Sequence, residues 1–294
     1  MDQTINLEDE FNLKYFSKEL LYPWLSPARI KELSTKKVLV VGVGGLGSFS
    51  STMLLKSGVL NLTVMDFDKV DISNLHRQLY SIHEVGKKKA KLTSVRLSSY
   101  FNELNVKYID ERLTKHNLDI IKEFDLIIDG TDNLIARYLI NKGAVLYNKP
   151  VIFAMIGNSK VIIYAKNVND PCLSCFLNIR TTGKKADSRN KNYKNNLDDL
   201  NNQLNNQMKN DNSQDSNDIT KAVIAPVNAL AASIQSYIAI KMLLALAQDF
   251  EGKLITFDFE EMQLRKIEVK KNKNCTICQR KIKQEKLKSE KQKV

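Results

Sequence analysis

The sequence predicts an α/β fold in which a mostly parallel sheet, covered by helices, continues into antiparallel strands and carries a structural site of four cysteines. Three observations point there. Short β-rich runs alternate with helical periods through the first half of the 294 residues, the pattern of strand-helix-strand units. A glycine turn, Gly42-Val43-Gly44-Gly45-Leu46-Gly47, follows the first such run. The four cysteines form two Cys-x-x-Cys pairs with none left over.

In chain order, Lys37-Val38-Leu39-Val40-Val41 is expected as a buried strand, 46–56 as a helix and 62–66 as the next strand. A helix over 84–100, a strand over 106–110, a strand over 125–129 and a helix over 133–147 complete the alternation. Such a sheet is covered on both faces and binds ligands at the carboxyl ends of its strands. Beyond Val151 the runs 151–155, 160–164, 254–259 and 265–269 read as paired antiparallel strands, with a long helix over 223–247 beneath them. That helix is the most apolar stretch, yet Pro226, Asn228, Ser233, Gln235 and Lys241 interrupt it, so it is not expected to span a membrane. Residues 181–219 are rich in Asn, Asp, Lys and Gln and cannot bury a core. The expected organisation is one domain over 1–280 holding that insert, followed by a basic tail at 281–294.

Charge narrows the function classes. The chain has 45 Lys and Arg against 33 Asp and Glu, a net charge of +12, with 43% hydrophobic residues, the composition of an ordinary globular protein. Much of the excess lies beyond Lys266, and the tail after Cys278 has no aromatic residue on which a base would stack, so the charge reads as a solvated end and does not point to nucleic acid. The first ten residues are acidic and lack the pattern of a secretory signal, so a cytoplasmic location is the expectation. In that compartment Cys172, Cys175, Cys275 and Cys278 suit a tetrahedral Zn²⁺ site better than disulfides, although free thiols or a redox pair have the same spacing. Four sulfur ligands leave no open position, so such a site holds structure.

The glycine turn carries the chemistry. Gly42, Gly44, Gly45 and Gly47 let backbone approach a phosphate at a helix N-terminus, and Asp66, ending the second strand, is placed for ribose hydroxyls. Those features alone fit a dinucleotide or a mononucleotide equally. The polar run that follows, with Asp68, Ser73, Asn74 and Arg77, has no obvious use in a nicotinamide site. Arg77 and Lys89 are cations able to neutralise a triphosphate, and Asp132, beside Asn133 past the fourth strand, is a candidate Mg²⁺ ligand. His76, His83 and His116 are the only histidines, and no catalytic triad is evident.

Taken together, the glycine turn, Val64-Met65-Asp66-Phe67-Asp68, Ser73-Asn74-Leu75-His76-Arg77-Gln78, the lysine run ending at Lys89, Asp129 to Asn133, the split cysteine pairs and Ala225-Pro226 opening a long helix resemble the MoeB/ThiF/E1-like superfamily of ATP-dependent adenylyltransferases. The resemblance covers about 15–280 apart from the insert. It implies a Rossmann-like fold, with ATP, Mg²⁺ and a structural Zn²⁺. It also implies activation of the C-terminal carboxylate of a ubiquitin-like or sulfur-carrier protein ending in Gly-Gly, or of a short peptide, as an acyl adenylate with release of pyrophosphate. By the same resemblance Asp66 holds the ribose, the glycine turn lies against the nucleotide, Asn74, Arg77 and Lys89 contact phosphates, and Asp132 binds magnesium. The family's N-terminal Arg-Tyr-x-Arg-Gln motif, whose second arginine reaches a neighbouring subunit's triphosphate in a homodimer, aligns with Tyr15 to Glu19, where Lys18 offers charge without a bidentate fork. With all four cysteines assigned to zinc, the expected reaction stops at the adenylate, with no thioester on the enzyme. Two other readings remain at this stage, a NAD-dependent oxidoreductase and a zinc-containing nucleic-acid binder.

Overall fold

The computed structural model describes residues 10–101, 104, 106–157, 159–177 and 223–279. The expectations for the insert at 181–219 and the tail at 281–294 fall outside the described residues. Eight strands, β1 (Lys37–Val41), β2 (Asn61–Met65), β3 (Lys107–Ile109), β4 (Leu126–Asp129), β5 (Val151–Gly157), β6 (Lys160–Lys166), β7 (Lys253–Asp258) and β8 (Gln263–Glu268), form one sheet. Their order is β3-β2-β1-β4-β5-β6-β7-β8. The first five pair in parallel and the last three are added antiparallel. Helices α1 (Glu10–Tyr15), α2 (Pro27–Thr35), α3 (Gly47–Lys56), α4 (Lys89–Ser98), α5 (Leu134–Leu146) and α6 (Ala225–Leu243) complete the regular structure together with short 3₁₀ turns.

Period-two alternation explains why apolar runs became central strands. In β1, Val38 and Val40 enter one core with Leu54 and Leu55 of α3 and Ala231 and Ala239 of α6, while Leu39 and Val41 enter the other with Leu139, Ile140 and Ala144 of α5. Both faces are therefore buried. The sheet changes character after β5, where Gly157 pairs with Lys160 across a tight turn and Ser159 adopts φ 59°. Helix α6 lies beneath β5 and β6 as expected, although it ends at Leu243. Its polar residues are consumed internally: Gln235 donates to the carbonyls of Asp129 and Ile152 and accepts from the Ser50 hydroxyl.

Two local expectations are corrected. The helix expected from 84 starts only at Lys89, because Gly86 adopts φ +83° and the segment 86–89 pairs back onto 68–70. Gly86 N–H donates to the Val70 carbonyl, Val70 N–H to that of Lys87 and Lys89 N–H to that of Asp68. Glu84 instead accepts from the Ser81 N–H in a capping box. Helices α1 and α2 were not anticipated; α2 starts from a Ser26 cap and Pro27 and buries Ile30 and Leu33. No described helix is long and apolar enough to cross a membrane.

Candidate functional site

Strand order reverses beside β1, and there, at the carboxyl ends of β1, β2 and β4, a cavity of about 470 Å³ opens. Gly42, Gly44, Gly45, Asp66, Asp68, Arg77, Lys89, Asp132 and Asn133 all line it. Four expected residues do not. Gly47 is packed behind the loop at the start of α3. Ser73 bonds Asp71, its hydroxyl at 2.6 Å from the carboxylate, and Asn74 lies in the same 3₁₀ turn. Lys18 is exposed ahead of another 3₁₀ turn, outside the cavity lining.

Crowding or a positive φ accounts for Gly42, Gly45 and Gly47, whereas a Cβ on Gly44 would make only ordinary contact with Gln78. Gly42 adopts φ +85° and donates to the Met65 carbonyl at 2.7 Å, tying the turn to β2. A Cβ on Gly47 would run into the Gly42 carbonyl, and one on Gly45 would lie 2.5 Å from the Asn228 amide nitrogen. Helix α3 then opens without a side-chain cap, and within its first turn the Ser48 N–H is already bonded to the Gly44 carbonyl at 3.2 Å, so an anion there would meet the other N–H groups of the turn.

Asp66 is buried and accepts N–H bonds from Val43 on one oxygen and Asp68 on the other, both at 2.8 Å. Burial pushes its carboxyl above the usual carboxylate range, against the two N–H bonds and Lys89. Lys89, 6% exposed, is held 3.4 Å from the Asp68 carboxylate at the start of α4. Arg77 donates to the Ser73 carbonyl at 2.8 Å, and its own carbonyl accepts from Asn228 of α6 at 3.2 Å. Two cations thus border the loop from separate elements.

Besides Gln78 of the Ser73-to-Gln78 motif and the expected Asn133, the cavity holds Arg112 and Arg137, which sequence spacing did not flag. The Gln78 carboxamide sits beside Gly44 without a hydrogen bond among the described residues, and its oxygen is buried. A buried polar group in that state is suited to a partner that arrives with a ligand. Arg112 stacks on Phe67, its guanidinium carbon 3.9 Å from the ring centroid, at the rim formed after β3. Arg137 forms a buried ion pair with Asp129 at 2.8 Å. Asn133 caps α5 by accepting from Ala136 N–H at 2.8 Å, so part of its side chain is already engaged. A polar pattern at fixed helix spacing, Asn133 to Arg137, was the available signal for Arg137.

The cysteines meet as expected. Cys172 and Cys175, before and within a 3₁₀ turn after β6, face Cys275 and Cys278 beyond β8, with sulfur separations of 3.5, 3.7 and 3.9 Å along the cluster. All four sulfurs lie within 4.8 Å of one another. A tetrahedron with metal–sulfur bonds of about 2.3 Å has edges of about 3.8 Å, so this donor set fits Zn²⁺. Val145 and Ile277 close over it.

The comparisons agree with this geometry. The model of the ThiF family matches residues 16–277. The chain is 28% identical over 274 residues to the sulfur carrier protein adenylyltransferase of Thermus thermophilus, covering 90% of each chain. It is 27% identical over 276 residues to the molybdopterin-synthase adenylyltransferase of Escherichia coli, covering 92% of this chain and 98% of that one. In fold it is similar to the crystal structure of E. coli MccB with MccA-N7isoASN, at a TM-score of 0.71 and 22% identity, over 90% of this chain and 74% of that chain. A chain matched over nearly its whole described length, with a nucleotide-sized cavity where its strand order reverses, belongs to the ThiF family and is an E1-like adenylyltransferase.

Proposed function

We propose that the protein binds ATP in the cavity at the switch point and presents its α-phosphorus to the C-terminal carboxylate of a ubiquitin-like or sulfur-carrier protein, or of a short peptide. The observation that carries the reading is the convergence of Asp66, the glycine turn, Arg77, Lys89 and Asp132 on one cavity. A carboxylate oxygen forms a bond to the α-phosphorus, the bond from that phosphorus to the β-bridging oxygen breaks, and pyrophosphate leaves with its electron pair. No proton moves in this step, which suits a site without an evident general base. Residues then have to align and neutralise.

Asp66 accepts the ribose hydroxyls through the lone pairs left by its two N–H bonds. The N–H groups of the glycine turn and the start of α3 that are not engaged by Met65, Asp66 and Gly44 receive phosphate oxygens, and Arg77 and Lys89 offset triphosphate charge. Mg²⁺, held by Asp132 and the phosphates, would supply further neutralisation of the leaving pyrophosphate. Ser73 and Asn74 contribute through the Arg77 turn, Asn133 by capping the helix beyond Asp132, and Lys18 toward a second subunit of a homodimer. Zn²⁺ on the four cysteines organises one end of a single domain that extends over 1–280. Arg77 and Lys89 favour this reading over a nicotinamide cofactor, and the lack of aromatic residues in the basic tail disfavours nucleic acid. A cytoplasmic location goes with reduced cysteines and such a carrier.

The test is ATP/pyrophosphate exchange with the purified protein and candidate carriers, followed by mass spectrometry of the carrier C-terminus for added AMP. Exchange that depends on the carrier and is abolished by Asp132→Ala is expected. Absence of exchange with every Gly-Gly carrier and peptide tried, or exchange unchanged in that variant, would overturn the assignment. The reaction is also expected to stop at the adenylate; a DTT-sensitive adduct between enzyme and carrier would contradict this.

A further inference from the structure

The turn between β4 and α5 is held from both sides. One oxygen of the buried Asp129 carboxylate accepts from the Thr131 N–H at 3.0 Å and from the Thr131 hydroxyl at 2.6 Å. Its other oxygen accepts from Arg137 Nε at 2.8 Å. The same guanidinium, through Nη2, donates to the Thr131 carbonyl at 2.5 Å and to the Ala154 carbonyl of β5 at 3.1 Å. Gln235 of α6 takes the Asp129 main-chain carbonyl at 2.9 Å. The turn cannot shift toward the glycine loop either, because Gly130 is packed so closely against the Gly42 carbonyl that a Cβ there would collide with it.

Two of these bonds act on the two peptide units of Thr131, the residue before Asp132. The Thr131 N–H belongs to the peptide before Thr131, and the Thr131 carbonyl belongs to the peptide that contains the Asp132 nitrogen. Asn133 then fixes the chain on the far side by capping α5. Ion pair, hydroxyl and carbonyls are all engaged, while the exposed Asp132 carboxylate has no partner among the described residues. A buried ion pair is a poor source of net stability, since desolvation offsets most of its attraction. Its geometry here supplies orientation.

We propose that Arg137 and Asp129 are a positioning pair that clamps both peptide units of Thr131 and so presets the Asp132 carboxylate to take a divalent cation together with a bound nucleotide. The inference rests on the role given to Asp132 above. Outer-shell groups of this kind change metal affinity by about 10- to 100-fold when removed. Lysine at 137 keeps the charge beside Asp129 but cannot form the forked contact that reaches Asp129, Thr131 and Ala154 together.

The test compares the affinity of the full chain for an α,β-methylene ATP analogue with Mn²⁺ and with EDTA, by calorimetry. The ratio of the two dissociation constants reports the metal contact without any turnover. In Arg137→Lys the ratio is expected to fall by about tenfold, with metal-free affinity held within about threefold. Thr131→Val removes only the hydroxyl bond to Asp129 and is expected to lower the ratio by about threefold, so it decides the matter if the arginine variant does not fold. A wild-type ratio in a folded variant, or an equal loss of both affinities, would show that the pair serves packing alone. Asp132→Ala separates the two ideas: if it leaves the ratio at the wild-type value, the role of Asp132 fails, whatever the arginine variants do.

Discussion

Asp66, in the ribose-binding role proposed above, would serve binding at the expense of stability. Its raised carboxyl means that the folded chain holds this proton at pH values where the unfolded chain has already released it. Stability from this group is thus present at low pH and declines as pH rises from the ordinary carboxylate value through the raised one. The proposed ribose contact would run the other way, because the ionised carboxylate is the better acceptor of hydroxyl hydrogen bonds. The KM for ATP is therefore expected to climb as pH falls toward the raised Asp66 value, at higher pH than an exposed carboxylate would titrate, and a pH profile of exchange in wild type and Asp66→Asn checks it. In the variant that acid limb should be missing, on top of a KM raised by about tenfold. Asp66 could be picked out from sequence because it ends a strand next to a glycine turn. The unpaired Gln78 oxygen and the reach of Asn228 could not, since a buried amide's state is recognised only by its neighbours, and Asn228 reaches the Arg77 carbonyl across 151 positions.

At the scale of elements, the glycine turn is a joint between β1, α3 and the first turn of α6. Asn228 lies against Gly45 and holds the Arg77 carbonyl, so helix α6 is coupled to a cation that lines the cavity. Gly45→Ala is expected to displace the Asn228 amide and raise the KM for ATP by about tenfold, and adding Asn228→Ala should recover part of that loss, since it removes the colliding atom. Exchange kinetics on the two single variants and the double variant check this coupling. Gly47→Ala has no such remedy, because the collision is with the Gly42 backbone; a loss of about 3 kcal/mol or more in denaturant unfolding is expected. Alternation of strands and helices was legible in sequence because it depends on periodicity. The late start of α4 was not, because helical spacing over 84–100 carries no record of the positive φ at Gly86 or of the pairing between Lys69 and Lys88.

For the molecule as a whole, the cysteine cluster joins segments that lie 103 residues apart in sequence. It sits between the end of β6 and the chain beyond β8, and so ties the antiparallel half of the sheet to α5 through Val145. One zinc per chain is expected by elemental analysis. Its removal with a chelator, or Cys275→Ser, should lower the thermal midpoint by about 10 °C without altering the strand content seen by circular dichroism. The cavity is built from the parallel half, and the two halves share one continuous sheet.

Family membership, the alternation of strands and helices and the four sulfur ligands were legible in sequence alone, because each is carried by short local patterns: the glycine turn, the strand and helix periods and two Cys-x-x-Cys pairs. Tertiary structure decided what those patterns could not contain. It brought Lys89 against Asp68, and it left Gly47, Ser73, Asn74 and Lys18 outside the cavity lining. It also assembled Asp129, Thr131, Arg137, Ala154 and Gln235 around the turn that presents Asp132. Those contacts link four separate elements through buried hydrogen bonds, and their direction depends on how the sheet twists and the helices pack.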